Sequence, residues 1–150
     1  MDKYRQNVAA FIIGQAGLIL LCRRADKFRT WQLPQGGIDE GESPSEALHR
    51  ELLEEIGTND IEIVHQLEAS IRYDWPKGLD RSKYLGQEQS YFLVRLNAEI
   101  DLENASSDEF DKAKWIGASE FKKLDYGFKT QAYLQALEKL MLLFPNLFAK

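Results

Sequence analysis

The stretch RELLEEIG at residues 50–57 sets three carboxylates, Glu51, Glu54 and Glu55, within little more than one helical turn and places no lysine among them. Side chains three and four apart on a helix are neighbours, so like charges at this spacing repel by a few tenths of a kcal/mol per pair. At about 100° per residue the glutamates share one arc, while Leu48, Leu52, Leu53 and Ile56 fill another centred roughly 140° away. The carboxylates are therefore expected to point largely away from the packed core. Two chemistries suit such a face. One is a solvated flank of an amphipathic helix, softened by pairing of Arg50 with Glu54 at i, i+4. The other is a site for a hard divalent cation, Mg²⁺ or Mn²⁺, because the segment offers oxygen donors with no thiolate and no suitably spaced histidine. His49 falls on the apolar side of the wheel and reads as structural; His65 lies in an expected strand and says little.

The helix that must carry these residues has clear limits. In SPSE at 43–46, serine stands at the N-cap, proline at the first helical position and glutamate at the third, a capping box, and Gly57 marks the far end. The preceding RRADKFRTWQLPQGGIDEGE has turn chemistry at Pro34, Gly36, Gly37 and Gly41. Upstream, VAAFIIGQAGLILLC at 8–22 carries no charge, yet it is shorter than the roughly 20 residues a spanning helix needs, and GQAG interrupts it. It is predicted to be a buried β-hairpin folded about Gly14 and Gly17. Strands are predicted at 61–73 and 88–96, separated by DWPKGLDRSKYLG, which is long, polar and expected to be mobile. Alternation in QEQSYFLVRL puts Gln87, Gln89 and Tyr91 on one side, with Phe92 and Val94 on the other. A strand around AKWIG, a short helix near 118–124 and a longer helix over 130–144 complete the chain. The stripe Tyr133, Leu137, Leu140 and Phe144 on the last helix reads as core packing, as does the apolar LMLLFPNLFAK that ends the chain.

A chain of 150 residues, 44% of them hydrophobic, suits one domain over 1–150 of mixed α and β structure, without repeats or low-complexity tracts. A net charge of −5 argues against a broad basic face for long nucleic acid. A short anionic ligand stays open wherever a few Lys and Arg converge. The single cysteine, Cys22, cannot form an internal disulfide and lies in an apolar run, so it reads as core in a protein of the reducing cytoplasm.

One pattern goes further than spacing. Gly36, five residues, Glu42, seven residues, Arg50-Glu51, apolar Leu52, one residue, Glu54-Glu55, one residue and Gly57 resembles the Nudix box almost position by position, with Thr58 standing where an aliphatic residue is usual. The resemblance implies the α/β fold class, a Nudix-type α/β/α sandwich with mixed β-sheet, and hydrolysis of a nucleoside diphosphate linked to another moiety. It implies Glu51 and Glu55 as metal ligands helped by the carbonyl of Gly36, and Mg²⁺ or Mn²⁺ as cofactor. Glu54 is then the general base, with Glu109 as the group that exchanges this role with it. Arg50 orients a carboxylate, and Glu42 reaches the metals through water.

The remainder of the chain narrows the resemblance. YRQNVAA, WQLPQGGIDEGE, RYDWP, GQEQSYFLVRL, SDEFDKAKWI and YGFKT together resemble the bacterial RNA pyrophosphohydrolases and the related asymmetric dinucleoside polyphosphate hydrolases, over about residues 3–137. Carried over by position, Glu109 is a distal metal ligand. Arg5, Gln87, Gln89 and Lys129 contact phosphate with Tyr73 assisting, Lys83 joins Arg5 and Lys129 in gripping a 5′ end, and Phe128 is a platform for the first base with Arg24 on its other face. Each has a plain alternative: Phe128 as core, the glutamines as an exposed strand face, Arg5 as a surface charge. Gln6 and Thr130 depart from the proline and arginine common in relatives. The favoured expectation is conversion of 5′-triphosphate or diphosphate RNA ends to monophosphate. Dinucleoside polyphosphates as substrate, with diadenosine tetraphosphate cleaved to ATP and AMP, are the runner-up. A non-catalytic nucleotide sensor is the rival of another class, disfavoured because every carboxylate of the box is present.

Overall fold

The capping residues act as their types require. Ser43 Oγ accepts from the Glu46 amide at 3.1 Å, Glu46 Oε1 accepts from the Ser43 amide at 3.0 Å, and Pro44 begins helix α1 (Pro44–Ile56). Gly57 closes the helix with φ 79°, a left-handed conformation that glycine adopts without steric cost. The structure, a computed structural model, describes residues 3–26, 28–76, 83–102 and 109–150. Residues 77–82 of the polar stretch expected to be mobile lie outside the described residues.

The strands are β1 (Tyr4–Ile13), β2 (Ile19–Arg24), β3 (Trp31–Gln32), β4 (Gln35–Gly37), β5 (Ile61–Gln66), β6 (Ile71–Asp74), β7 (Gly86–Leu96) and β8 (Phe110–Ile116). They form a mixed sheet of order β3-β2-β1-β7-β5, with β8 on β2, β4 on β1 and β6 on β7. At its centre β1 and β7 run parallel in unbroken register from Tyr4–Gly86 to Ile13–Arg95, and the other pairings are antiparallel. Both faces are covered, which explains why β1 reads as a continuous apolar run rather than an alternating one. Val8, Ala10, Ile12, Phe92 and Val94 pack with Leu48 and Leu52 of α1. Ala9, Phe11, Tyr91 and Leu93 pack with Phe121 of α2 (Ala118–Lys123) and with Tyr133, Leu137 and Leu140 of α3 (Thr130–Leu143). The arrangement is an α/β/α sandwich. Among the described residues no helix is long and apolar enough to cross a membrane.

Several expectations are corrected. The hairpin at 8–22 begins earlier, at Tyr4, and turns through a 3₁₀ segment at Gln15–Gly17 in which Ala16 and Gly17 take positive φ. Its strands meet in register at Ile13–Ile19 and then part, because β2 turns to β8 while β1 continues along β7. The single strand expected over 61–73 divides into β5 and β6, which pair in tandem with β7. The short β3 and β4 were hidden in turn chemistry. Phe144 lies just past α3 and meets the His65 ring at 5.4 Å, and of the C-terminal apolar residues Phe148 is buried while Leu142 and Leu143 are exposed.

Leu53, grouped with the core leucines by the helical wheel, is 51% exposed, whereas Leu52 is fully buried. The core covers a narrower arc of α1 than the wheel assigns it. Leu52→Ala is accordingly expected to lower stability by about 2–5 kcal/mol, and Leu53→Ala to change it by no more than about 0.5 kcal/mol, as read from urea denaturation midpoints.

Candidate active site

Helix α1 rests against β4, whose sequence is QGG. A methyl group on Gly36 would overlap the Glu51 carboxylate, and one on Gly37 would overlap the Arg5 guanidinium, so two residues without side chains make room for an acid on one flank and a base on the other. This changes the reading of the helix wheel. Glu51 is 8% exposed and Glu55 2%, so two of the three carboxylates are enclosed under β4, and only Glu54 faces solvent. Hydrophobic periodicity separated the glutamates from Leu48 and Leu52 but could not register a strand of glycines landing on them.

Burying these acids perturbs them. Desolvation pushes the Glu51 carboxyl above its ordinary value, with Arg50 pulling it back and Glu54 and Glu109 adding repulsion. Glu55 is raised well above 4.5 by burial first, then by the charges of Glu51 and Glu109, while the Gln35 amide, which donates to Oε2 at 3.2 Å, opposes the rise. Its Oε1 is buried without a hydrogen-bond donor among the described residues. Arg50 ties the cluster to the loop before α1. It donates to both oxygens of Glu42 at 2.7 and 2.9 Å, to Glu51 Oε1 at 2.8 Å and to the Gly37 carbonyl at 2.8 Å. The i, i+4 contact with Glu54 is the looser one, at 3.6 Å. Hydrogen bonding from Arg50, followed by the Asp39 amide, holds Glu42 down at about 2. Both carboxylate oxygens of Glu42, expected to reach metals through water, accept from Arg50.

Of these acids, Glu51 and Glu109 line a cleft of about 710 Å³, and Glu55 lies behind Glu51, outside its lining. Of the residues singled out in the sequence, Arg5, Arg24, Gly36, Glu51, Gln87, Glu109, Phe128 and Lys129 line it. Lys129 Nζ donates to Gln32 Oε1 at 2.8 Å, and Arg24 pairs with Asp26 and stands 5.4 Å from the Phe28 ring. Others are placed differently. Gln89 is fully enclosed, donating to Asn7 Oδ1 at 2.9 Å and Gln35 Oε1 at 3.3 Å and accepting from the Tyr91 hydroxyl, so it supports the floor rather than facing the cleft. Tyr73 is buried, its hydroxyl accepting from Gln87 Nε2 at 2.6 Å. Lys83 is exposed beside the Tyr84 ring at 5.4 Å and is not among the lining residues, where Tyr84 takes its place. His49 bonds through Nδ1 to the Ser45 carbonyl at 2.8 Å, a structural contact. Cys22 is buried beneath the acids, its thiol pushed up by burial and by the charge of Glu55.

The sequence did not single out Asn7, Gln32, Gln35 or Trp75, all of which line the cleft. Asn7 sits in YRQNVAA, and its parallel partner in register on β7 is Gln89; it donates to Gln87 Oε1 at 2.7 Å. Trp75 meets Phe128 edge to face at 5.7 Å, and Tyr73 packs within about 6 Å of both, which makes a wall of three aromatic rings. Thr130 has a structural use: its hydroxyl accepts from the Tyr126 amide at 2.9 Å and donates to the Gly127 carbonyl at 2.8 Å, fixing the turn that presents Phe128.

A divalent cation fits this donor set. Two buried carboxylates with raised pKa, a third beside them, an orphaned oxygen on Glu55 and a backbone strand lying against Glu51 form a hard, negative, oxygen-rich pit that the protein's own hydrogen bonds leave incompletely satisfied. Glu51, Glu55 and Glu109, with the Gly36 carbonyl, are the residues that could hold it. The adjoining cleft, with Arg5 and Lys129 facing an aromatic wall, suits an anion attached to a planar ring.

Comparison with known proteins agrees with this chemistry. Residues 3–137 match the family model described as NUDIX domain. An RNA pyrophosphohydrolase from Helicobacter pylori is 48% identical over 143 residues, covering 90% of this chain and 92% of the relative. One from Campylobacter jejuni is 38% identical over 143 residues, covering 90% and 91%. Among solved structures, a NUDIX hydrolase from Nitrosomonas europaea superposes with TM-score 0.72 at 20% identity over 93% of this chain and 90% of that one. A C. elegans Ap4A hydrolase binary complex superposes with TM-score 0.67 at 19% identity over 92% and 99%. Similarity at that identity shows the fold alone.

Two outcomes follow from the acid cluster. Glu55 has a raised folded-state pKa, so the stability it contributes is fully present below about pH 4.5 and is lost as pH rises through the folded value. Without divalent cations the melting temperature should therefore fall from pH 5 to pH 8, Glu55→Gln should flatten the slope, and Mg²⁺ should raise the melting temperature far more at pH 8 than at pH 5. Gly36→Ala should displace Glu51 and weaken cation binding in calorimetry by at least tenfold, the loss typical of a misplaced ligand shell.

Proposed function

Because this chain belongs to the NUDIX domain family, we propose that it is a metal-dependent RNA 5′-pyrophosphohydrolase, converting triphosphorylated or diphosphorylated 5′ ends to monophosphate with release of pyrophosphate or phosphate. The observation that carries this reading is one cleft in which a pit of buried carboxylates adjoins Arg5, Gln87 and Lys129 and ends at the Phe128 wall. Acid, phosphate grip and base platform share this one cleft, as a 5′ nucleotide with its phosphates and base requires. The relatives named RNA pyrophosphohydrolase, at 38–48% identity over about 90% of both chains, support RNA ends over dinucleoside polyphosphates, whereas the Ap4A hydrolase shares the fold at 19% identity. The buried, unpaired Cys22 suits work in the cytoplasm, where such RNA ends occur.

Polyphosphates resist water because their negative charge repels a nucleophile. Glu51, Glu55 and Glu109, with the Gly36 carbonyl, would hold a divalent cation, Mg²⁺ or Mn²⁺, which would supply charge neutralisation and Lewis-acid polarisation when bound. Arg50 keeps Glu51 oriented through its hydrogen bond and holds the loop of Glu42 against α1. Glu54, the exposed member of the trio, is free to accept the proton of attacking water. Arg5, Gln87 and Lys129 bear the phosphates, and stacking on Phe128 contributes about 1–3 kcal/mol. The polar floor of Asn7, Gln87 and Gln89 is pre-organised by its own hydrogen bonds, so binding need not order it.

The test compares rates on triphosphorylated RNA and on diadenosine tetraphosphate with Mg²⁺ present. The RNA should be the better substrate by kcat/KM; the reverse order would assign the enzyme to dinucleoside polyphosphates, and no turnover of either would leave a sensor. Glu54→Gln should lower kcat about 10²- to 10⁴-fold, and Phe128→Ala should raise KM about 5- to 150-fold with a smaller change in kcat.

A further inference from the structure

Tyr133 read as one more core residue of α3, and in its packing it is one. It is fully enclosed and set among the rings of Tyr126 at 5.1 Å, Phe121 at 6.3 Å and Tyr91 at 6.4 Å, which hold its ring in place. Its hydroxyl does something the packing does not require. It donates to Gln35 Oε1 at 2.5 Å and accepts from the Leu33 amide at 3.3 Å, gripping both ends of the Leu33-Pro34-Gln35 segment that leads into β4.

Otherwise that segment is held largely through its backbone, the Pro34 carbonyl accepting from the Ala10 amide at 3.0 Å and the Gly37 carbonyl from Arg50 at 2.8 Å. Gln35 carries the one side chain in β4 beyond a hydrogen, since the other two residues are Gly36 and Gly37, and glycine is the residue least inclined to keep an extended conformation unaided. The strand pairs with β1 through three residues, Asn7 to Ala9. Its side-chain anchor is the Gln35 amide oxygen, which accepts from both Tyr133 and Gln89, while the Gln35 backbone N–H donates to Glu55 Oε2. The same short strand presents the Gly36 backbone to Glu51.

We propose that Tyr133 is a positioning residue for cation binding, acting through Gln35 to set β4, and with it the Glu55 carboxylate and the Gly36 carbonyl, at the spacing a divalent cation requires. The inference rests on the reading of Glu55 and Gly36 as ligands given above. It also joins the two halves of the site. Helix α3 begins at Thr130, immediately after the turn that carries Phe128 and Lys129, and Tyr133 lies one helical turn further on. One rigid element thus bears the base platform at its start and the support of the cation pit in its first turn.

A buried hydroxyl that only satisfies the core predicts something different, and Tyr126 supplies the comparison. It is also buried, and its hydroxyl donates to the Phe121 carbonyl at 2.8 Å, away from β4. The experiment measures Mn²⁺ affinity by calorimetry on the full chain, together with melting temperature and separate kcat and KM on triphosphorylated RNA, for Tyr133→Phe and Tyr126→Phe. Tyr133→Phe should weaken Mn²⁺ binding about 10- to 100-fold, the range for losing an outer-shell partner, and lower kcat with KM within about twofold. Tyr126→Phe should lower the melting temperature and leave Mn²⁺ affinity unchanged. Gln35→Met gives the second route: it should weaken Mn²⁺ binding on its own, and adding Tyr133→Phe to it should cause no further loss, because the two act in series. Mn²⁺ affinity within twofold of wild type in Tyr133→Phe, or fully additive losses in the double variant, overturns the proposal. Since calorimetry needs no turnover, a wild-type chain inert toward RNA would sink the proposed activity while leaving the cation measurement to decide this point.

Discussion

Glu55 lies out of water against Glu51 and Glu109, with the Gln35 amide donating to one oxygen and the other left without a donor among the described residues. Gathering like charges in a low-dielectric pit is unfavourable for the fold taken alone. The surrounding structure is arranged to sustain it. Arg50 draws Glu42, Glu51 and the Gly37 carbonyl into one network. In β4, Gly36 lets backbone approach Glu51 and Gly37 lets it approach Arg5 without a side chain in between. A capped helix and a central strand covered on both faces provide the stability that such a site consumes.

The cleft beside the acids has two unlike surfaces because the sheet changes character along its length. Where β1 and β7 lie deep in the sandwich, their side chains are apolar and fill both cores. At the other end the same strands present Asn7, Gln87 and Gln89, buried polar groups that satisfy one another and extend to Tyr73, Tyr91, Gln35 and Tyr133. A connected polar network in a low-dielectric setting holds its members in one geometry, since any rearrangement strands a donor or an acceptor. The aromatic wall of Tyr73, Trp75 and Phe128 stands over it, and Thr130 fixes the turn from which Phe128 projects.

Local chemistry made much of this legible. The start of α1 is fixed by Ser43, Pro44 and Glu46 acting within one turn, whereas the spacing of the acids and Arg50 left a solvated face and a cation site both open until the resemblance to the family favoured the second. What needed the tertiary structure was of another kind. The helical wheel sorts side chains by polarity, so it set Glu51 and Glu55 apart from the core and Leu53 within it, and both assignments failed because burial here depends on which strand covers which arc. The alternation that put Gln87 and Gln89 on one face was right, but depth along a strand separates a residue at the cleft from one enclosed beneath it. Tyr133 sat correctly in an apolar stripe, and nothing in periodicity distinguishes a tyrosine whose hydroxyl has a task from one that merely packs.

The floor of the cleft joins Asn7 to Gln87 and Gln89, residues some eighty positions apart, through the parallel pairing of β1 with β7. Contacts so distant along the chain impose a large loop-closure entropy and slow the search for the native topology. During synthesis β1 cannot pair with β7 until the intervening segment, α1 included, has been made. The box helix emerges earlier with all its acids in place, but the nascent chain has no substrate pocket until the second central strand arrives to complete it.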